Sequence, residues 1–216
     1  MTELLDDASL EQTAVVANSA MNRDRRLPAY RRELGFDPVD WLLTRPGPQR
    51  WLDIGCGSAH ALFEAAPALS GKARIVGLDL VGYFGGSPGD DVELVTGSVL
   101  TWQPDEPVDL ITSVHALHYV GDKLAALARM SSWLTADGRL AANFDASALR
   151  AADGSPLGRR LTSALRHNGF EYNPRTHRIA RTGNALPHWD FRYAGADAHV
   201  GPNYTGQDAV ASHYRL

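Results

Sequence analysis

Cysteine occurs once in the 216 residues, at Cys56. A single thiol excludes an intramolecular disulfide and a cysteine-based zinc cluster, and the count fits a reducing compartment. Positive charge is also scarce: 21 Lys and Arg stand against 25 Asp and Glu, a formal net charge of −4. That balance leaves no global electrostatic footprint for nucleic acid. No stretch approaches the roughly 18 to 20 apolar residues that cross a bilayer. The first residues, Met1 to Asp7, have neither the basic start nor the apolar run of a secretory signal. Internal repeats and low-complexity tracts are missing. The expectation is a soluble, cytoplasmic protein with no membrane partner, long enough for one full hydrophobic core.

What is present is an alternation of short apolar runs and helical patterns. Arg50 to Ile54, Ala73 to Leu78, Val92 to Val95, Val108 to Val114 and Arg139 to Phe144 read as strands. Ala59 to Leu69 reads as a helix, and Asp122 to Leu134 as an amphipathic helix closed by Asp137-Gly138. Gly82 to Asp90, rich in glycine, is a loop. Such alternation implies parallel strands with crossover helices, a doubly wound α/β sheet. Ahead of it, residues 3–20 have the loose apolar spacing of a helix. Residues 22–34 are strongly basic, with Pro28 suited to the first turn of a second helix and Gly35 to its stop. Asp37-Pro38 opens a third, short helix through Leu43, and Arg45 to Pro48 is a turn. The chain thus divides into an N-terminal helical cap segment, 1–48, and an α/β domain, 49–216. In the last third, Pro156 to His167 looks helical and Phe170 to Ala180 is a strand or an extended arm. Residues 183–206 read as a long Gly, Pro and aromatic loop of the kind that carries function.

The segment Trp51 to His60 concentrates the chemistry. An apolar strand ends in Asp53, Gly55 and Gly57 alternate with small residues, and a helix begins. Glycine permits a sharp turn and a close backbone approach. A strand, a Gly turn and a helix N-terminus make a nucleotide-type cofactor site. A dinucleotide fingerprint needs a third glycine where this chain has His60, so an NAD-dependent oxidoreductase is the weaker reading. A P-loop needs Gly-Lys-Ser/Thr, which is absent.

The segment instead resembles motif I of the class I S-adenosylmethionine-dependent methyltransferases, Asp/Glu-x-Gly-x-Gly-x-Gly. Asp53, Gly55 and Gly57 match, and Ala59 stands at the third glycine. Further features follow in the family's order. A second strand ends in Asp79. Gly97-Ser98-Val99 lies where the family usually places an acid against the adenine amine, so Ser98 is a departure. Val108 to Val120 resembles the fourth-strand motif, and Leu127 to Phe144 is similar to the next helix, turn and strand. The resemblance implies a mostly parallel seven-stranded sheet with an N-terminal helical lid. It also implies S-adenosylmethionine as cofactor, with S-adenosylhomocysteine as product. The cofactor-binding residues it implies are Asp53, Gly55, Gly57, Ala59, Asp79, Leu80, Ser98, Val99 and Ser113. Asp53 and the backbone at Gly55 and Ser113 would hold the methionine end. Gly57 and Ala59 would let the main chain pass beneath, and Asp79 would take the ribose hydroxyls.

Methyl transfer needs alignment of nucleophile, methyl and sulfur, and an oxygen or carbon nucleophile generally also loses a proton. His115 and His118, just beyond the fourth strand, are the candidate bases; helix-start or packing roles are their plainer reading. Tyr30 and Arg31 are candidates for reaching into the pocket or gripping a substrate carboxylate, whereas the run Arg23, Arg25, Arg26, Arg31 and Arg32 reads otherwise as a solvated face. Tyr193, Asp197 and Tyr204, with His188, Trp189, His199 and Asn203 around them, suit either a substrate-covering loop or a surface arm anchored by aromatics. His188, Asp197 and His199 have metal-ligand chemistry but no spacing that fixes a site, so no metal is expected. Nucleic-acid amino methyltransferases carry Asn/Asp-Pro-Pro-Tyr/Phe where this chain has Ser113-Val-His-Ala116. The acceptor expected is a small molecule bearing a hydroxyl, amine or activated carbon, not nucleic acid. A non-catalytic S-adenosylmethionine-binding protein is the second reading, since fold alone does not fix function.

Overall fold

The computed structural model describes residues 4–17 and 24–216. Three short helices, α1 (Asp7–Leu10), α2 (Leu27–Leu34) and α3 (Pro38–Leu43), come first. The alternation follows: β1 (Gln49–Ile54), α4 (His60–Leu69), β2 (Ala73–Asp79), β3 (Val92–Thr96), β4 (Val108–Ser113), α5 (Lys123–Ser132) and β5 (Leu134–Asn143). The last third holds β6 (Leu149–Ala151), α6 (Arg159–His167), β7 (Glu171–Asn173), β8 (Arg178–Thr182), β9 (Arg192–Asp197) and β10 (Ala211–Arg215).

Seven strands form one sheet in the order β3-β2-β1-β4-β5-β8-β7. Strands β1 to β5 are parallel, and β8 runs antiparallel to both β5 and β7. This is the doubly wound, mostly parallel sheet expected. The chain leaves β1 for β2 on one side and returns to β4 on the other. A crevice therefore opens beyond the carboxyl ends of β1 and β4, the switch point where such sheets bind ligands.

The pleat sorts alternate residues onto two cores. Trp51, Ile75 and Leu110 face the layer of α2, α3 and α4, with Tyr30, Leu42 and Leu62. Leu52, Leu78 and Ile111 face the layer of α5 and α6, with Leu127, Met130 and Leu161. The central strands are thus apolar on both faces, as parallel strands covered by helices must be.

Helix α2 starts later than the basic run, with Pro28 in its first turn and Gly35 (φ 80°) as its C-cap. Asp37 caps α3, its Oδ1 accepting from Val39 N at 2.9 Å. The helix expected over residues 3–20 is confined to α1. Residues 11–17 form turns instead, in which Thr13 Oγ1 donates to Leu10 O at 2.8 Å. Its β-branched Thr13, Val15 and Val16 disfavour helix continuation. The rest of that expected helix, and Arg23, lie outside the described residues.

The long loop expected over 183–206 contains β9, which joins β10 and β6 in a second, three-stranded sheet, β6-β10-β9. The core of β9 is Ala194-Gly195-Ala196, and small residues give little strand signal. They are small because the N-terminus lies against them. Leu5 and Ala196 exchange backbone hydrogen bonds of 2.8 and 2.9 Å, and a Cβ on Gly195 would press on the Leu4 side chain. Among the described residues no helix is long and apolar enough to cross a membrane.

Candidate active site

The turn after β1 is built by backbone hydrogen bonds to its neighbour. Gly55 N and Cys56 N donate to Leu78 O at 2.7 and 3.2 Å. Gly55 has φ 69°, and a Cβ there would collide with the methyl of Ala116. The turns after β1 and β4 therefore pinch together at a point only glycine permits. Asp79, at the end of β2, fixes two loops: Oδ2 accepts from Gly57 N at 2.9 Å and Oδ1 from Val81 N at 3.1 Å.

These turns line an open cleft. Six of the expected cofactor residues line it together: Gly55, Gly57, Asp79, Leu80, Ser98 and Val99. Glu11 and Arg25 line it as well, from the N-terminal segment. Ser98 Oγ donates to Glu11 Oε1 and accepts from Leu100 N at 3.1 Å. Arg25 Nη2 donates to Gly55 O at 2.9 Å.

Three expected cofactor residues lie behind the wall. Asp53 is fully buried, its Oδ2 accepting from Tyr30 Oη at 2.6 Å and its Oδ1 from Thr112 Oγ1 at 2.5 Å. Thr112 in turn accepts from Trp51 Nε1 at 2.7 Å. Burial pushes the Asp53 carboxyl up to about 6, against the pull of the Thr112 and Tyr30 hydrogen bonds and of Arg25. Its carboxylate is thus held by Tyr30 and Thr112 behind the cleft wall. Ala59 is fully buried and takes the left-handed conformation (φ 61°) ahead of α4. Ser113, at the end of β4, is likewise fully buried.

Neither member of the expected inward pair from α2 lines the cleft. Tyr30 is buried on Asp53, and burial with that carboxylate beside it drives its phenol well up. Arg31, half exposed, pairs with Asp37 at 2.5 Å on the outer side. Among the described residues, the arginine that lines the cleft is Arg25, in the extended stretch before α2.

His115 follows β4 with φ 59°, a left-handed conformation that costs about 1 to 3 kcal/mol and is typical of functional turns. Its N–H donates to Asn143 Oδ1 at 3.3 Å. Its ring lines the cleft, and Nε2 stands 3.5 Å from Glu33 Oε2. Burial lowers its pKa, and Glu33 acts in the opposite sense. Arg178, on β8, holds Glu33 in place by donating to its carbonyl at 2.7 Å. His118 does not line the cleft. It is buried, its pKa is pushed down to about 3 by desolvation and then by His115 and Lys123, and Nε2 contacts Tyr204 Oη at 3.3 Å. Tyr204 stacks on His177 at 3.7 Å between ring centroids. His115, His118, His177 and Tyr204 form one aromatic group beside the cleft.

Of the other tail residues, Tyr193 and Asp197 belong to the second sheet and not to the cleft. Tyr193 Oη donates to Asp7 Oδ1 at 2.9 Å, and Asp197 Oδ1 accepts from His199 N at 2.8 Å. His188 pairs with Asp190 at the surface, at 3.6 Å. Among the described residues no group of three metal-type side chains gathers. Glu11, Glu33 and His177 were not singled out by their sequence context.

Residues 52–140, from the Asp53 turn to the fifth strand, match the family described as a methyltransferase domain. The match spans less than half of the 216 residues and marks these residues as a methyltransferase domain. The methyltransferase domain thus covers β1 to β5 and the cleft's principal loops. No curated relative matches the chain. Among solved structures it is similar to the N-methyltransferase NodS from Bradyrhizobium japonicum WM9, in complex with S-adenosylhomocysteine. There the TM-score is 0.49 and the identity 16%, over 83% of this chain and 98% of that one. It is also similar to CalS10, an amino pentose methyltransferase from Micromonospora echinaspora, with TM-score 0.40 and 26% identity. This chain spans about half of CalS10, 54% of each chain being covered.

Proposed function

We propose that the protein transfers a methyl group from S-adenosylmethionine to a small-molecule acceptor, with the N- and C-terminal segments closing the site. The reading is carried by one observation: Gly55, Gly57, Asp79 and His115, from three strand ends, surround a single cleft at the switch point. When bound, the cofactor supplies an electrophilic methyl on a sulfonium whose leaving group is already good.

The chain's own residues divide the work. Asp79, fixed by two backbone N–H groups, accepts the ribose hydroxyls. The Gly55 backbone and the Arg25 guanidinium meet the charged methionine end. The buried Nδ1 of His115 has no hydrogen-bond partner among the described residues. Burial holds its pKa below the ordinary value, so the imidazole is neutral at neutral pH. His115 therefore takes the proton from the acceptor's hydroxyl or amine. Tyr204 and His177 form the acceptor's wall, while His118 stays neutral and supports Tyr204.

The test is a panel of small hydroxyl- and amine-bearing acceptors incubated with S-adenosylmethionine, read by release of S-adenosylhomocysteine. Turnover that falls about 100-fold or more in His115→Ala, with cofactor binding retained, is the result expected of a general base. Full turnover in that variant removes the base role. Cofactor binding with no turnover on any acceptor favours the non-catalytic reading.

A further inference from the structure

Glu11 joins the cleft from outside the matched domain, 87 residues before its partner Ser98. It does so because the second sheet holds it there. Asp7 Oδ1 accepts from Tyr193 Oη at 2.9 Å and from Asp122 N at 3.1 Å. Leu10 is fully buried against Ala196, Ala198 and Val210. Glu11 is the next residue, and its position over the cleft is thereby set by contacts remote from the cleft.

Apolar Leu80, Val99, Val15 and Val16 line the cleft together with Asp79 and Ser98. Gly97 N donates to Asp79 O at 3.0 Å, so Ser98 lies directly beside the residue assigned to the ribose. A flat base attached to that ribose has an apolar slot to enter and one polar edge to meet. At that edge Ser98 Oγ is committed, donating to Glu11 Oε1 and accepting from Leu100 N. Among the described residues the other Glu11 oxygen carries no hydrogen bond. A carboxylate accepts only. It therefore favours a base whose edge bears an amine and opposes one whose edge bears a carbonyl.

We propose that Glu11 reads the exocyclic amine of the cofactor's adenine, so that the N-terminal segment, held by the second sheet, sets base specificity. This rests on the reading of the cleft as an S-adenosylmethionine site. A discriminating hydrogen bond to a charged group corresponds to about 10- to 100-fold in affinity.

The experiment is calorimetric titration of the whole chain with S-adenosylhomocysteine and with its inosine counterpart, in which a carbonyl replaces the amine. The wild type is expected to prefer the amine form by about 10- to 100-fold. Glu11→Gln is expected to shrink that preference to about threefold or less, because its amide can donate to a carbonyl. Ser98→Ala, which keeps the carboxylate, retains most of the preference. Equal affinity of the wild type for both ligands, or an unchanged preference in Glu11→Gln, overturns the assignment of Glu11 while leaving the cofactor site standing. Failure of the wild type to bind S-adenosylhomocysteine at all overturns the site and the assignment together.

Discussion

Tyr30 donates its hydroxyl to the fully buried carboxylate of Asp53 at 2.6 Å. This bond ties α2 to the end of β1, directly behind the glycine turn. Tyr30→Phe removes the donor and leaves a buried carboxylate oxygen short of a partner. The expected cost is about 1.5 to 3 kcal/mol of unfolding free energy, measurable by urea denaturation at neutral pH. A loss below roughly 0.5 kcal/mol would show that the bond does not anchor the cap.

Asp53 itself links stability to pH. Its carboxyl titrates at about 6 in the folded protein and near 3.9 when unfolded. Between those values the folded state holds more protons, so this group's contribution is full below about pH 4 and is lost as pH rises through 6. Asp53→Asn does not titrate. The stability of wild type minus that of Asp53→Asn is therefore expected to grow as pH falls from 7 to 4.5, by urea denaturation at each pH. A difference that is flat with pH contradicts the raised pKa.

Lys123 gives the opposite slope. Its ammonium is fully buried, with Nζ 2.8 Å from both Val120 O and Val210 O. Burial lowers its pKa to about 7, although Asp145, Asp122 and Asp7 pull upward. The unfolded lysine holds its proton to about pH 10.4, so between 7 and 10 the folded state binds fewer protons and stability rises with pH. Relative to Lys123→Met, the wild type is expected to gain up to about 1.4 kcal/mol per pH unit between pH 7.5 and 9.5. Parallel stability profiles for the two proteins would contradict this.

The His115–Glu33 pair is accessible to NMR. The His115 imidazole, assigned by loss of its signals in His115→Ala, is expected to titrate below the ordinary histidine value near 6.5, because burial opposes the charged form. Glu33 works against burial, so Glu33→Gln is expected to move the inflection further down. A shift upward, or none, would separate Glu33 from the imidazole.

What could be read from the sequence was local. Gly55, Gly57 and Asp79 announce themselves because a strand end, a tight turn and an acid carry their chemistry in adjacent residues. The apolar runs of β1, β2 and β4 are legible for the same reason. Ser98 gives no hint of Glu11, since the two meet only after the N-terminus docks on β9. Strand β9 is itself hidden, its Ala and Gly residues being small to admit Leu4 and Leu5. Arg25 and Arg31 share one basic run, in which the sequence points to Arg31 for the pocket. The late start of α2 leaves Arg25 in extended backbone at the cleft, whereas Arg31 rides the helix to Asp37. Asp53 was visible as a motif residue, but its burial behind Tyr30 depends on how α2 packs across the sheet.

The most direct measurement is calorimetric titration of the wild type and of Asp79→Ala with S-adenosylhomocysteine and NAD. The expected result is one-to-one binding of S-adenosylhomocysteine by the wild type, weakening about 10-fold or more in Asp79→Ala, with no binding of NAD. Binding of NAD alone, or no binding of S-adenosylhomocysteine by the folded wild type, would contradict the assignment of this cleft.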